Sequence, residues 1–241
     1  MSGALSTSFG FQSVTPEERE ARIRQVFEAV APRYDLMNDV MSLGIHRLWK
    51  RRMADAAHVA AGQVIVDLAG GTGDIARLLA GAGRQVVVCD PSEAMMAVGR
   101  RRCAGLAVDF VTGTAEAMPF ADASVDTVTI AFGLRNATRP ETALAEIHRV
   151  LKPGGRFLCL EFSRPWAWLR PFYDAWSFLV IPRLGAWVAG QPAAYDYLVE
   201  SIRRFPDQRE LMALMVCAGF KDVEWCDLSA GIACLHRGWK A

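Results

Sequence analysis

Between Gly62 and Phe162, short apolar runs alternate with stretches in which apolar residues return every three or four positions. VIVDL (64–68), QVVVCD (85–90), VDFVTG (108–113) and SVDTVTIAF (124–132) are rich in β-branched residues and RFLCLEF (156–162) is a short apolar run with two phenylalanines, which predicts strands. IARLLA (75–80), PSEAMMAVGRRR (91–102) and RPETALAEIHRVL (139–151) have helical spacing, and KPGG (152–155) reads as a turn. Strands alternating with helices imply an α/β fold, a mostly parallel sheet covered on both faces. Upstream, TPEEREARIRQVFEAVA (15–31) opens with a Thr cap, a first-turn Pro and early glutamates, so a helix starts there, and a second is expected over roughly 46–57.

Past Phe162 the alternation stops. Residues 164–205 carry four of the seven tryptophans (Trp166, Trp168, Trp176 and Trp187), which marks an aromatic helical insertion before the last βαβ unit. The pattern resumes with QRELMALMVCAGF (208–220) as a helix, then KDVEWCDL (221–228) and GIACLHR (231–237) as strands of a hairpin at the sheet edge. The expected organisation is a flexible polar arm over 1–14 and a single domain over 15–241. Within that domain, 15–61 form a helical lid and 164–205 the insertion.

Charge narrows the partners. With 27 basic and 26 acidic side chains the formal net charge is +1, which argues against nucleic acid. No uncharged apolar stretch reaches the roughly 18–20 residues that span a bilayer, because Asp174, Arg183 and Asp196 interrupt the greasiest region. The six cysteines have no CxxC spacing and no cluster with histidine, so no metal site is expected and the thiols read as reduced and mostly buried. The N-terminus lacks the basic start and apolar core of a secretory signal, giving a cytoplasmic expectation.

The chemistry concentrates at DLAGGTGD (67–74). Glycines at a strand-to-helix turn let a ligand approach the backbone and present helix N-terminal N–H groups. Gly71-Thr72-Gly73-Asp74-Ile75-Ala76 formally satisfies the dinucleotide pattern GxGxx(G/A), which keeps an NAD-dependent oxidoreductase open. Asp67, at the end of the first strand, would repel a pyrophosphate but suits an amino group or a sulfonium. Asp90 ends the second strand, where an acid accepts both ribose hydroxyls, and Thr114-Ala115 follow the third, where an adenine could lie. The bland alternative makes both aspartates cap or turn residues.

This combination resembles the seven-stranded class I S-adenosylmethionine-dependent methyltransferases. YDLMNDVMSLGIHRLW (34–49), AFGLRN (131–136), RVLKPGGRFLCLEFS (149–163) and YDYLVESIRRFP (195–206) further resemble the ubiquinone/menaquinone biosynthesis C-methyltransferases, and the likeness runs from about Val26 to Lys240. It implies a Rossmann-like fold and S-adenosylmethionine as cofactor, held by Asp67, Gly71, Thr72, Gly73, Asp90, Thr114, Ala115 and Ala131. It also implies methylation of a ring carbon on a prenylated quinol, a 2-polyprenyl-6-methoxy-1,4-benzoquinol or a demethylmenaquinol. The chain departs from the family at Thr114, where Asp or Asn is usual, at Ala131, often Ser, and at Gln191-Pro192, usually a charged pair. Methylation of another phenol or lipid and a non-catalytic pathway scaffold are the other readings. Association with other quinone-biosynthesis enzymes and with the inner membrane surface is expected.

A ring carbon attacks a sulfonium methyl only once the neighbouring hydroxyl ionises, so the site needs alignment, dryness and phenolate stabilisation. Arg135, after the fourth strand, is the candidate catalytic residue, its alternative being an ion pair with Glu161 or Asp35; Asn136 would hold the second oxygen. Tyr34 and Asn38 divide between substrate contact and lid hydrogen bonding. His46 is read as packing beside Trp49, and His148 as structural. The aromatic insertion serves as local core, prenyl channel or membrane contact, and the runs Lys50-Arg51-Arg52 and Arg100-Arg101-Arg102 read as solvated faces.

Overall fold

The alternation becomes a seven-stranded sheet in the computed structural model, which describes residues 7–9, 12–31, 34–180 and 192–241. A two-stranded ribbon, β1 (Ser8–Phe9) and β2 (Gln12–Ser13), precedes the helices α1 (Pro16–Val30), α2 (Tyr34–Ser42) and α3 (Ile45–Ala57). There follow β3 (Val64–Leu68), α4 (Asp74–Leu79), β4 (Gln85–Asp90), α5 (Glu93–Arg102), β5 (Val108–Thr112) and β6 (Val125–Ala131). A 3-10 turn (Leu134–Asn136) leads into α6 (Pro140–Val150) and β7 (Leu151–Phe162). The insertion carries α7 (Arg170–Ala175), a π turn (Trp176–Val180) and α8 (Pro192–Arg204), before α9 (Gln208–Cys217), β8 (Lys221–Leu228) and β9 (Ala233–Trp239).

The strand order is β5-β4-β3-β6-β7-β9-β8. The first five strands in that order run parallel, while β9 pairs antiparallel with both β7 and β8. Alternate residues of each strand serve opposite faces. Val66, Ile130, Phe157 and Cys159 pack with Leu144 and Ile147 of α6 and Met215 of α9. Ile65, Val86, Leu158 and Leu160 pack with Trp49 and Met53 of α3 and Ile75 and Leu79 of α4. The strand order reverses between β3 and β6, and a crevice opens beyond the carboxyl ends of adjacent strands at such a point.

The edge hairpin and helix α1, with its Thr15–Glu18 capping box, agree with the sequence pattern. Three features differ. Residues 34–42, which the pattern left unassigned, form α2; its polar residues obscure the period, and Leu43 and Gly44, both at positive φ, break it from α3. KPGG is a bulge inside β7: Val125 pairs Leu151 and Thr127 pairs Arg156, so two steps on β6 face five on β7. The looped-out backbone is held by the chain's end, with Gly154 N donating to Lys240 O and Lys240 N to Gly155 O. Within the arm, β1 pairs with β2 and Phe9 stacks on Tyr197 with centroids 4.6 Å apart. Arg183, Trp187 and Gln191 of the insertion lie outside the described residues. Of the six free cysteines, Cys89, Cys103, Cys159 and Cys234 are buried, and Cys217 and Cys226 are exposed.

Candidate active site

The chain leaves β3 through Ala69 at φ +50° and turns at Gly71 (φ +49°) and Gly73 (φ +76°) into α4. Gly73 N donates to Gly70 O at 2.8 Å, closing the turn. A Cβ on Gly73 would stand 2.8 Å from Cys103 Sγ, so that glycine serves the turn's fit against α5. It lies off the wall of the crevice, unlike Asp67, Gly71, Thr72, Asp90, Thr114, Ala115 and Ala131, which line one cavity as the sequence pattern anticipates. Tyr34, Asn136 and the α1 side chains Glu20, Ile23 and Phe27 complete that wall.

Two buried carboxylates, Asp67 and Asp90, lie in the cavity's wall. Asp67 Oδ1 accepts from Thr129 Oγ1 and Oδ2 from Ala76 N, both at 3.1 Å. Burial outweighs these bonds and pushes its pKa up to about 7. Asp90 accepts from Ser92 N at 2.8 Å and Gly71 N at 2.9 Å, and burial raises its pKa to about 6. Each Asp90 oxygen thus has one protein donor and a lone pair left for a hydroxyl. A side chain on Gly71 would come within 3.1 Å of Met95 Cε and 3.7 Å of Asp90 Oδ2, filling the space above that carboxylate. A bare loop, an acid able to accept from two hydroxyls and a buried carboxylate awaiting a cation together fit an amino acid joined to a nucleoside.

A second cavity, of about 300 Å³, lies beside the first. Tyr34 and Phe132 line both, so the two cavities adjoin there. Its lining is mainly apolar: Trp49, Phe132 and Phe162 from the domain, with Leu169, Phe172, Tyr173, Trp176, Leu198 and Ile202 from the insertion. Phe132 has φ +58°, a strained conformation for a bulky residue, and its ring packs 4.7 Å from Phe162. Gly133 follows because a Cβ there would meet Ala69 Cβ at 2.7 Å.

Arg135 and Asn136, adjacent in the 3-10 turn, diverge. Arg135 lines the second cavity, 4% exposed, and its Nη1 donates to Glu161 Oε2 at 3.0 Å and to Phe132 O. Glu161 Oε1 also accepts from Arg135 N at 3.2 Å, and the guanidinium carbon stands 5.5 Å from the Phe162 ring centre. Arg135 Nε is buried without a hydrogen-bond partner. Asn136 instead faces the first cavity, with Oδ1 accepting from Tyr197 Oη at 2.9 Å. Asn38 and His46 join Arg135 on the second cavity. Burial, then Lys50, push the His46 pKa down to about 4, so its ring is neutral. Because Ser42 Oγ donates its proton to Asn38 O, His46 Nδ1, 2.8 Å from Ser42 Oγ, donates to that hydroxyl. His148 packs edge-on against Phe220, a structural position.

Two expected solvated faces are corrected. Lys50 is buried and pairs with Asp74 at 2.6 Å, while Arg51 and Arg52 are exposed. Arg102 bridges Asp74 at 2.5 Å and Asp35 at 2.6 Å, and Asp35 accepts from Thr72 Oγ1 at 3.3 Å. The ion pair of Asp35 therefore ties α2 to the glycine turn, and Arg135 takes Glu161. Successive helical residues point about 100° apart, so a run of like charges divides between solvent and interior. Lys50 and Glu161 are buried and Asp74 is half-buried, and nothing in their local pattern marks that burial.

The profile of the ubiE/COQ5 methyltransferase family matches residues 15–240. The chain belongs to that family. A relative from Rubrivivax gelatinosus, named ubiquinone/menaquinone biosynthesis C-methyltransferase UbiE, is 68% identical over 98% of this chain and 94% of its own. The protein of the same name from Roseobacter denitrificans is 51% identical over 98% of this chain and 97% of its own. Among solved structures, a SAM-dependent methyltransferase from Thermotoga maritima superposes with a TM-score of 0.65 at 24% identity, over 90% of this chain and 99% of that one, a likeness of fold. As a ubiE/COQ5 methyltransferase, the chain is an enzyme whose cofactor is S-adenosylmethionine. The dinucleotide reading of Gly71–Ala76 is thereby set aside.

Proposed function

We propose that this methyltransferase transfers a methyl group from S-adenosylmethionine to a ring carbon of a prenylated quinol in ubiquinone and menaquinone biosynthesis. The observation that carries the reading is the apolar second cavity, which shares Tyr34 and Phe132 with the cofactor cavity and has Arg135 in its lining. Bound S-adenosylmethionine supplies an electrophilic methyl on a sulfonium. Asp67 and Asp90 hold its cationic amino group and its ribose, and the loop at Thr114 and Ala115 receives its base. Thr114 offers only a hydroxyl, so the adenine relies more on backbone there.

Arg135 faces the quinol and holds one ring oxygen as it ionises, which raises electron density on the ortho carbon. A guanidinium keeps its protons, so the quinol's proton leaves to another acceptor. Asn136, on the cofactor side, takes the ring edge that approaches the methyl. Tyr34 and Asn38 from α2 and the rings of Trp49, Phe132 and Phe162 exclude water, which strengthens the Arg135 contact. The insertion's side chains along the second cavity receive the first prenyl units.

The test is transfer of labelled methyl to demethylmenaquinol and to 2-polyprenyl-6-methoxy-1,4-benzoquinol. Product carrying label on a ring carbon, with kcat/KM rising as the tail lengthens by its first isoprene units, is the expected result; each buried methylene contributes about 0.8 kcal/mol. Label on oxygen, or equal efficiency with a tail-free quinol, would sink the reading.

Leu43 and Phe172 of the second cavity's lining belong to a set of exposed apolar side chains, which we read as one rim. Leu36, Leu43 and Leu48 of the lid and Trp166, Trp168 and Phe172 of the insertion are all more than half exposed, with Arg47, Arg51, Arg164 and Arg170 also exposed in these segments. No helix among the described residues is long and apolar enough to cross a membrane. The reading is that this rim rests on an anionic bilayer surface, from which the greasy substrate enters. The protein is expected to float with phosphatidylglycerol vesicles, and Leu48→Ser with Trp168→Ser to reduce flotation without changing turnover of a short-tailed quinol. Undiminished flotation of that variant would place the contact elsewhere.

A further inference from the structure

The 3-10 turn that carries Arg135 and Asn136 ends with carbonyls that the turn itself leaves without donors. A side chain from the far end of the sequence supplies them. Arg19 Nη2 donates to Arg135 O at 3.2 Å, and Nη1 donates to Asn136 O at 2.8 Å and to Thr138 Oγ1 at 3.3 Å. Arg19 is 2% exposed, an uncommon depth for a cation. Burial lowers its pKa, while Tyr197 and Glu116 counter that shift.

We propose that Arg19 is a positioning residue, which caps the turn from α1 and holds Arg135 and Asn136 at the boundary of the two cavities. The proposal rests on the reading of Arg135 given above and deepens it. Two observations make the contact more than a tie between surfaces. Glu116 holds the same segment as well, its Oε1 accepting from Thr138 N at 2.7 Å and from Arg139 N at 3.2 Å. The turn's carbonyls and the following amides are thus both claimed by buried or half-buried charges. Moreover, α1 walls the cofactor cavity with Glu20, Ile23 and Phe27, so one helix contacts both the cofactor space and the turn. The Thr15 cap and Pro16 fix where α1 begins and hence where Arg19, in its first turn, points. A planar fork reaches two carbonyls at once, which an ammonium does less well.

Arg19→Lys keeps the charge and loses the fork. At saturating cofactor its kcat is expected to fall about tenfold, the scale of one charge-assisted hydrogen bond, while cofactor affinity stays within about threefold. Amide exchange at Asn136 and Ala137, whose N–H groups close the turn onto Gly133 O and Leu134 O, becomes faster. Arg19→Gln should show both effects more strongly. In an Arg135→Ala background, Arg19→Lys should cost less than about twofold more, because both act through one group. Unchanged kcat with unchanged exchange, a loss explained by cofactor affinity, or fully additive losses would overturn the proposal. If Arg135→Ala alone leaves turnover intact, the phenolate reading fails instead, and the exchange at Asn136 and Ala137 still reports whether Arg19 holds the turn.

Discussion

Replacing Arg135 with alanine is expected to lower turnover by about 30- to 1,000-fold, or roughly 2–4 kcal/mol of barrier, the scale for removing a preorganised donor to a developing anion. Cofactor affinity should change little, since Arg135 lines the second cavity, the proposed quinol site, and not the first. Stability will also fall. Glu161 is 1% exposed and would lose its cation, and breaking a buried pair from one side costs about 3–5 kcal/mol. A lower Tm therefore does not by itself argue for a purely structural arginine. Arg135→Lys separates the two roles: it keeps a cation for Glu161, so most of the stability returns, but it loses the planar fork, so turnover recovers only partly. The pH profile at saturating cofactor gives the second measurement. Without the guanidinium the quinol hydroxyl ionises at higher pH, and the rising limb of kcat moves up. Full recovery of turnover with lysine and an unmoved limb would remove Arg135 from the chemistry.

Cofactor affinity should weaken as the solution is acidified from pH 8 to pH 6. Asp67, with a pKa pushed up to about 7 by burial, is mostly ionised at the first pH and mostly protonated at the second. Only the carboxylate attracts the amino group, so the competent fraction of protein, and with it the affinity, falls about tenfold from this group alone. Asp90, at about 6, adds to the loss at the acid end. Asp67→Asn should abolish the Asp67 part of this dependence and reduce affinity at pH 8 by about 10- to 100-fold, the value of a charge-assisted hydrogen bond. The amide is tolerated sterically, because the Thr129 hydroxyl can donate to Val66 O, 3.5 Å away, and accept from the new amide N–H. The unliganded protein moves the other way. A carboxyl whose folded pKa is raised holds its proton longer when folded, so its contribution to stability is lost as pH rises from about 4 to about 7. Without cofactor, Asp67→Asn should thus be more stable than the parent at pH 8, with the gap closing toward pH 4. Calorimetric titration and melting at the two pH values check both halves; an affinity flat with pH would take Asp67 out of cofactor binding.

The glycine turn shows what was legible locally. Asp67, Gly71, Thr72, Asp90, Thr114 and Ala115 were singled out by their places at or just after strand ends, and Ala131 by the family resemblance; parallel strands put those ends on one edge of a sheet, where all seven line one cavity. Gly73 was found for the right loop, but its task, clearing Cys103, depends on where α5 packs. Tyr34 and Asn38 were singled out as polar residues in an apolar stretch; that Tyr34 faces both cavities followed only from the placement of α2. Asn136 sits one residue from Arg135 and faces a different cavity, because neighbouring side chains of a tight turn point in different directions.

Short-range pattern therefore determined the strands, most of the helices, the edge hairpin and the cofactor loop, since period, capping residues and glycine placement act over a few residues. Tertiary structure decided which charges are partners. Arg135 and Glu161 are 26 residues apart, Lys50 and Asp74 are 24 apart, and the Arg19 charge meets a backbone carbonyl, Asn136 O, 117 residues away. An arginine in a helical run looks the same whether it ends in water or in the core. What separates the two outcomes is desolvation, which exists only once the sheet, the lid and the insertion have closed around the side chain.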